Sequence, residues 1–332
     1  MSPPSATPSR TALALGFAAI YLIWGSTYLG IRIAVETMPP FLMASGRFLV
    51  AGGILTAWIA FTKGFRPTAR QWFDNAIIGA LLLLGGNGLV SWSEQRVPSG
   101  IATLIISVGP VFIVLLDWLV FAASKDPARG TRPTRMTFAG LALGFLGLAV
   151  LVGPDVLHEG VGHLHGPSVL GLVGACFFWG VGSIYTRYAR NPAEPFTAAA
   201  MQQLCAFGWL LLVSVLCGEP WHFDPAAVSR SSFLAWIYLI IAGSLVGFTT
   251  FVWLMKHSTP AKVSTYAYVN PVVAVFLGWW VLKEPVNPRI FLGAAIIIAG
   301  VVIITISKNR KAKAAAPRPA ASPAPVPQTA SR

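Results

Sequence analysis

Residues Tyr266–Glu284 read YAYVNPVVAVFLGWWVLKE, an apolar run interrupted by one proline, and a weaker copy lies in the other half of the chain. Setting Pro271 on Pro110 also places Ser264 on Thr103, Val272 on Val111, Trp279 on Trp118 and Val281 on Val120. In water such a run would be a poor strand or a broken core helix; at about 20 residues it has the length of a bilayer span. A proline inside a helix frees a backbone carbonyl and kinks the chain, which membrane proteins tolerate where a neighbour or a cavity meets the freed group. Matched broken helices in two halves mark a repeat-built transporter.

Composition agrees. Of 332 residues, 55% are hydrophobic and 11% charged, and the mean hydropathy is +0.68, which leaves too little polar surface to face water. The chain is therefore read as a polytopic membrane protein. Cys176, Cys205 and Cys217 all lie within apolar runs, so they imply small-residue packing and no disulfide framework.

Ten apolar runs follow a polar start, at about 11–34, 41–62, 72–93, 98–122, 136–153, 168–190, 196–217, 231–255, 260–282 and 288–307. The first is longer than a signal-peptide core and continues into Arg32, so it is read as a retained helix. The expected organisation is a cytoplasmic segment 1–10, a five-helix repeat 11–153, an outer loop 154–167, a second five-helix repeat 168–307 and a basic, Ala/Pro-rich disordered tail 308–332.

The net charge of +13 is distributed by side of the membrane. Alternate connections carry Lys63, Arg66, Arg70, Lys125, Arg129, Arg132 and Arg135, and the tail adds more; the opposite side holds only Arg32, Arg96, Arg230, Lys283 and Arg289. By the positive-inside rule both termini are cytoplasmic, and the charge marks topology, not a nucleic-acid footprint.

The repeat extends beyond the opening stretch. Trp24-Gly25 falls on Trp179-Gly180, Arg32 on Arg187 and Pro40-Phe41 on Pro195-Phe196, while Phe138, Gly140 and Gly147 fall on Phe291, Gly293 and Gly300. An odd number of helices per repeat makes the second copy enter from the other side. The expected fold is thus all-α, with ten transmembrane helices in two inverted five-helix repeats.

Several polar and aromatic residues then stand out. Trp24, Tyr28 and Arg32 share one helix face, and Trp179, Ser183 and Arg187 repeat the spacing. Facing a cavity, they would suit a small amphipathic solute; packed between helices, the tryptophans are structural and the arginines snorkel. Asn87, Ser91 and Glu94 also share a face, and an intramembrane carboxylate is kept at a cost that suits proton or cation coupling. Arg47 and Asp117 are the other intramembrane charges, and a mutual bridge is one way to tolerate both. Tyr268 and Asn270 flank Pro271, where freed carbonyls could bind a polar solute or where small polar groups could simply permit close packing.

Other signals are weak. The loop from His158 to His165 has three histidines but no supporting helix or cysteines, so no metal or other cofactor is expected. There is no phosphate-binding loop, serine elbow or aspartate pair of a membrane protease.

The strings Ile23-Trp24-Gly25-Ser26-Thr27-Tyr28, Gly86-Asn87-Gly88, Val97-Pro98-Ser99-Gly100-Ile101-Ala102 and Tyr266-Ala267-Tyr268-Val269-Asn270-Pro271 resemble the EamA family of the drug/metabolite transporter superfamily, especially its YedA-like inner-membrane branch. The likeness covers about residues 11–307 and implies a central cavity, alternating access, and export of amino acids, related metabolites or toxic compounds. Two positions depart from the pattern. The acidic residue after the last broken helix is present as Glu284 but replaced in the first half by Ala122-Ala123-Ser124, and no acid occurs from Thr11 to Val35, where small multidrug members couple protons.

The expected protein is a non-enzymatic carrier or facilitator in the inner membrane. Its partners would be a small-molecule substrate and the lipid bilayer, with no nucleic acid, and it would be a monomer or homodimer. Trp24, Tyr28, Asn87, Trp179, Tyr268 and Asn270 are the expected substrate-binding residues, Pro110 and Pro271 the hinges, and Glu94 the coupling candidate. The alternative is a membrane-embedded enzyme or assembly factor for a lipid-linked substrate.

Overall fold

The computed structural model describes residues 9–125, 134–157, 165–192, 194–258, 263, 266–284, 286 and 288–315. The side chain of Tyr268, all of Ser264 and the histidine loop up to residue 164 lie outside the described residues. Every regular element described is helical: α1 (Arg10–Ala34), α2 (Pro40–Thr62), α3 (Ala69–Ser93), α4 (Ser99–Ile106), α5 (Gly109–Ser124), α6 (Arg135–Leu157), α7 (Gly166–Tyr185), α8 (Pro195–Leu216), α9 (Arg230–His257), α10 (Tyr266–Leu282) and α11 (Pro288–Ala315). Short turns at Glu219–His222 and Pro225–Ala227 join α8 to α9.

Among the described residues seven helical stretches are long and apolar enough to cross a membrane: α1, α2, α3, α4 with α5, α7, α8 and α9. Shorter apolar helices cover Arg135–Gly147, Val269–Leu282 and Pro288–Gly300. Large apolar side chains crowd the outer surface, with Phe61 90% exposed and Leu216 76%, as a lipid-facing surface requires.

Local chemistry explains the ends. Ser9 caps α1 by accepting from the Ala12 N–H at 3.1 Å, and Thr68 with Gln71 forms a reciprocal capping box before α3. Both broken segments end at a left-handed lysine, Lys125 after α5 (φ 53°) and Lys283 after α10 (φ 56°). Beyond residue 307 the helix continues to Ala315. Lys, Arg and Ala are good helix formers, and long basic side chains can follow an apolar helix out to the interface.

The two prolines differ in setting, which corrects the expectation of two equivalent broken helices. Pro271 lies inside α10, whereas Pro110 is the second residue of α5, after a break at Ser107 and Val108. Proline is well tolerated in a first helical turn, since its missing N–H has no partner there anyway. The break is sealed locally, with Ser107 Oγ donating to the Leu104 carbonyl at 2.6 Å.

The middles of α3 and α9 are π-helical, at Gly79–Gly88 and Leu239–Phe248. Bonding to the fifth residue instead of the fourth widens the turn and redirects the side chains that follow. Packing then interleaves the halves: α2 lies on α8, α6 on α11, α1 on α10 and α9, and α7 on α3 and α5. The α6–α11 seam is made of glycine. A Cβ at Gly300 would stand 2.7 Å from the Gly140 carbonyl oxygen, so the backbones touch.

The helix ends gather into two groups. At the end holding Ala34, Ser99 and Leu282, Ser232 Oγ donates to the Ile33 carbonyl and Glu219 accepts from the Leu42 N–H, each at 2.7 Å. At the end holding Arg10 and Ser124, Asp74 accepts from Tyr185 Oη at 2.8 Å and Lys63 pairs with Glu194 at 3.3 Å. These are called the far end and the near end below.

Candidate functional site

A cavity of about 110 Å³ lies between these ends, walled by α1, α2, α3, α4, α5, α7, α9 and α10. Both π segments contribute, through Leu83, Gly86 and Asn87 on one side and Gly243 and Phe248 on the other. The widened turns bring small residues and backbone to the wall where regular helices would bring bulk.

Four expected residues meet there: Trp24, Tyr28, Asn87 and Trp179. Trp24 is the hub of an aromatic cluster, edge-on to Trp179 (centroids 5.9 Å apart) and Tyr266 (5.0 Å) and tilted on Phe251 at 4.9 Å. Such pairs fix ring orientation and leave a rigid apolar wall. Pro110 also lines the cavity.

Asn270 stands apart from that lining. It is buried, and with its amide NH2 turned toward them the carbonyls of Tyr266 and Tyr21 lie at 3.1 and 3.2 Å, so it ties α10 to α1. Pro271 lies one residue beyond it in α10 and is likewise absent from the wall.

Glu94 caps the C-terminal end of α3, fully buried, and neither carboxyl oxygen has a hydrogen-bond partner among the described residues. Arg32 passes over it, donating instead to the main-chain carbonyls of Glu94 and Gln95 at 2.7 and 2.8 Å. Of the expected Asn87–Ser91–Glu94 face, Asn87 lines the cavity, whereas Ser91 and Glu94 lie outside its lining.

The suggested Arg47–Asp117 bridge is not formed. Asp117 pairs with Arg187 at 2.6 Å toward the near end, whereas Arg47 enters the cavity wall. Its Nε donates to Ser244 Oγ at 2.7 Å, and its Nη1 reaches Asn87 Oδ1 at 3.5 Å. Sequence reading flagged both charges, but helical periodicity carries no information on which helices touch. Sequence reading does not place Tyr266, Phe251 or Gly243 at the site, and of these only Tyr266, five residues before Pro271, lies in a stretch that it singles out.

The far end of the cavity is shut by α4 against α10, where Glu284 accepts from the Ser99 N–H at 2.8 Å and the Gly100 N–H at 3.2 Å. Beyond these contacts α5 lies on α7 and α10 lies on α1.

A family model described as the EamA-like transporter family matches this chain twice, over residues 11–153 and 166–306. The chain is 35% identical to the uncharacterized inner membrane transporter YedA of Escherichia coli K12, over 87% of this chain and 89% of that protein. It is 25% identical to the uncharacterized transporter YoaV of Bacillus subtilis, over 90% and 98%. A solved crystal structure at 22% identity superposes with a TM-score of 0.63, over 91% of this chain and 99% of its own, which speaks for the fold alone. With its stacked apolar helices and a sequence that matches over nearly its whole length, this multi-pass inner membrane protein belongs to the EamA-like transporter family.

Proposed function

We propose that the chain is a secondary transporter or facilitator that exports small amphipathic metabolites, amino acids or related compounds, across the inner membrane by alternating access. Ten spans in two inverted five-helix halves would rock about the central cavity, with both termini cytoplasmic. The carrying observation is the cavity itself, walled by both halves and bounded toward the far end by α4 packed on α10. That arrangement fits an inward-facing state of a two-state carrier.

Trp24, Tyr28, Trp179 and Asn87 would contact solute, Tyr268 and Asn270 would shape α10 beside it, and Pro110 and Pro271 would mark the flexing points. Glu94, a buried carboxyl without a polar partner among the described residues, is the coupling candidate.

The test is counterflow in proteoliposomes. Unlabelled amino-acid or organic-acid pools are preloaded and labelled tracer uptake is followed with and without a pH gradient, for the native protein and Trp24→Ala. Saturable uptake lost in the variant is the expected result. No exchange for any pool by a folded protein would sink the transport reading.

A further inference from the structure

We propose that Arg47 is the anion-binding group of the cavity, and that the transported solute is a compact organic acid whose carboxylate docks on this guanidinium while its apolar body rests on the Trp24 cluster. This names the solute class of the transport reading and rests on it for the solute's passage. Binding itself can be measured separately.

Arg47 is in the third turn of α2, 4% exposed, with its head group in the cavity wall. A guanidinium offers five N–H donors. Among the described residues two of them meet acceptors, Ser244 Oγ and the distant Asn87 Oδ1, and both acceptors are neutral. The ring of Phe48 lies 5.0 Å from the guanidinium carbon, and the backbone of Gly243 lies close against Nη2.

No carboxylate joins it there. The described lining holds one cation and no Asp or Glu. The acids within the helical bundle lie elsewhere: Asp117 pairs with Arg187, Asp74 binds Tyr185 and the Arg190 N–H, Glu284 caps α4, and Glu94 is buried outside the cavity lining.

A buried charge with only neutral partners is expensive at membrane depth and is kept where it has work to do. A planar fork with free donors matches a carboxylate in two parallel hydrogen bonds, which a lysine in the same place would not reproduce. Among the described residues the wall beside it is aromatic and has no acidic group to meet an ammonium. The cavity therefore selects an anion with a ring or alkyl body, and an α-amino group is not required.

The probes are phenylacetate, its neutral analogue 2-phenylacetamide and the cation phenethylamine. Binding to the purified protein is followed by intrinsic tryptophan fluorescence, since Trp24 and Trp179 stand in the wall, and by thermal shift. Phenylacetate is expected to bind at least about tenfold more tightly than 2-phenylacetamide, the difference between a charged and a neutral hydrogen-bonded pair. Arg47→Gln should erase that preference and Arg47→Lys should lose most of it.

Equal binding of acid and amide by the native protein, or no binding of the acid, overturns the proposal without recourse to any variant. So does a preference that survives Arg47→Gln. Counterflow of phenethylamine or 2-phenylacetamide without discrimination for the acid would overturn the anion site and leave transport standing. Arg47-dependent binding of phenylacetate with no counterflow of any pool would keep the site and sink the transport reading.

Discussion

Glu284, at the end of α10, caps the N-terminus of α4 through Ser99: its carboxylate accepts from the Ser99 N–H at 2.8 Å and from Ser99 Oγ at 3.0 Å. The contact joins the two halves of the chain at the far end of the cavity. The left-handed Lys283 turns the chain back, and the Glu284 N–H donates to the Gly278 carbonyl at 3.1 Å to hold the turn. A side chain at Gly278 would collide with the Glu284 carboxylate and Ser99 Oγ, so glycine is required there.

The corresponding stretch of the first half reads Ala122-Ala123-Ser124, so no carboxylate stands at the position equivalent to Glu284. A latch on one gate only would bias the carrier toward the far-closed state. Glu284→Ala should cost about 1 kcal/mol, the usual worth of a helix N-cap, seen as a lower thermal midpoint. It should also raise labelling of a cysteine placed at Ile31, in the cavity wall, by an impermeant maleimide added from the far side, in a background free of native cysteines. Unchanged labelling would show that the cap stabilises the helix without gating.

Gly243 gives a second test. A Cβ there would stand 2.7 Å from Arg47 Nη2 and 3.1 Å from Thr27 Cγ2, within the wall of the cavity. Gly243→Ala must push the guanidinium aside, an overpacking cost of about 1–3 kcal/mol if it is absorbed by the fold and less if the side chain swings away. Either way phenylacetate affinity should fall about tenfold or more. Full affinity in a folded variant would mean that the Arg47 head group does not need its observed place.

Much of the fold is legible in the residues because bilayer physics is unforgiving. Runs of about 20 apolar residues, glycines recurring at one spacing in two halves and a skewed distribution of Lys and Arg need no knowledge of contacts. The aromatic wall was within reach for the same reason, since Trp24 and Trp179 occupy equivalent places. The π segments were not, because glycine-rich turns leave little side-chain pattern from which to read a change of hydrogen-bond register. Arg47 and Asp117 show a related limit: each charge is visible in sequence, but Ser244 and Arg187 as their partners depend on how helices lean together.

The α6–α11 seam tests the glycine reading directly. Gly300 faces the Gly140 carbonyl oxygen at 2.7 Å and the Gly144 nitrogen at 2.8 Å from the position of an added Cβ, both backbone atoms that cannot swing away. Gly300→Val should therefore separate the helices and destabilise the protein by about 2–3 kcal/mol, the upper range for overpacking. Gly53, whose added Cβ would meet nothing within 4 Å, is the control, and Gly53→Ala should leave the thermal midpoint unchanged or raise it slightly, as alanine favours the helix. Equal loss at both positions would point to backbone freedom, not close approach, as the reason for the glycines.

Glu94→Gln separates structure from coupling. Neither carboxyl oxygen of Glu94 has a hydrogen-bond partner among the described residues, so an ionised side chain there would suffer the full cost of desolvation. Replacing it with a neutral side chain of the same shape should leave the thermal midpoint near pH 7 equal to or above that of the native protein. If Glu94 carries the proton that couples export, the same variant should still exchange solute in counterflow but lose its response to an imposed pH gradient. A midpoint several degrees lower would reveal a carboxylate already held by strong bonds, and an intact gradient response would move the coupling site elsewhere. A variant that is stable, exchanges freely and ignores the gradient would assign Glu94 its role, because a merely structural residue would not affect the gradient response alone.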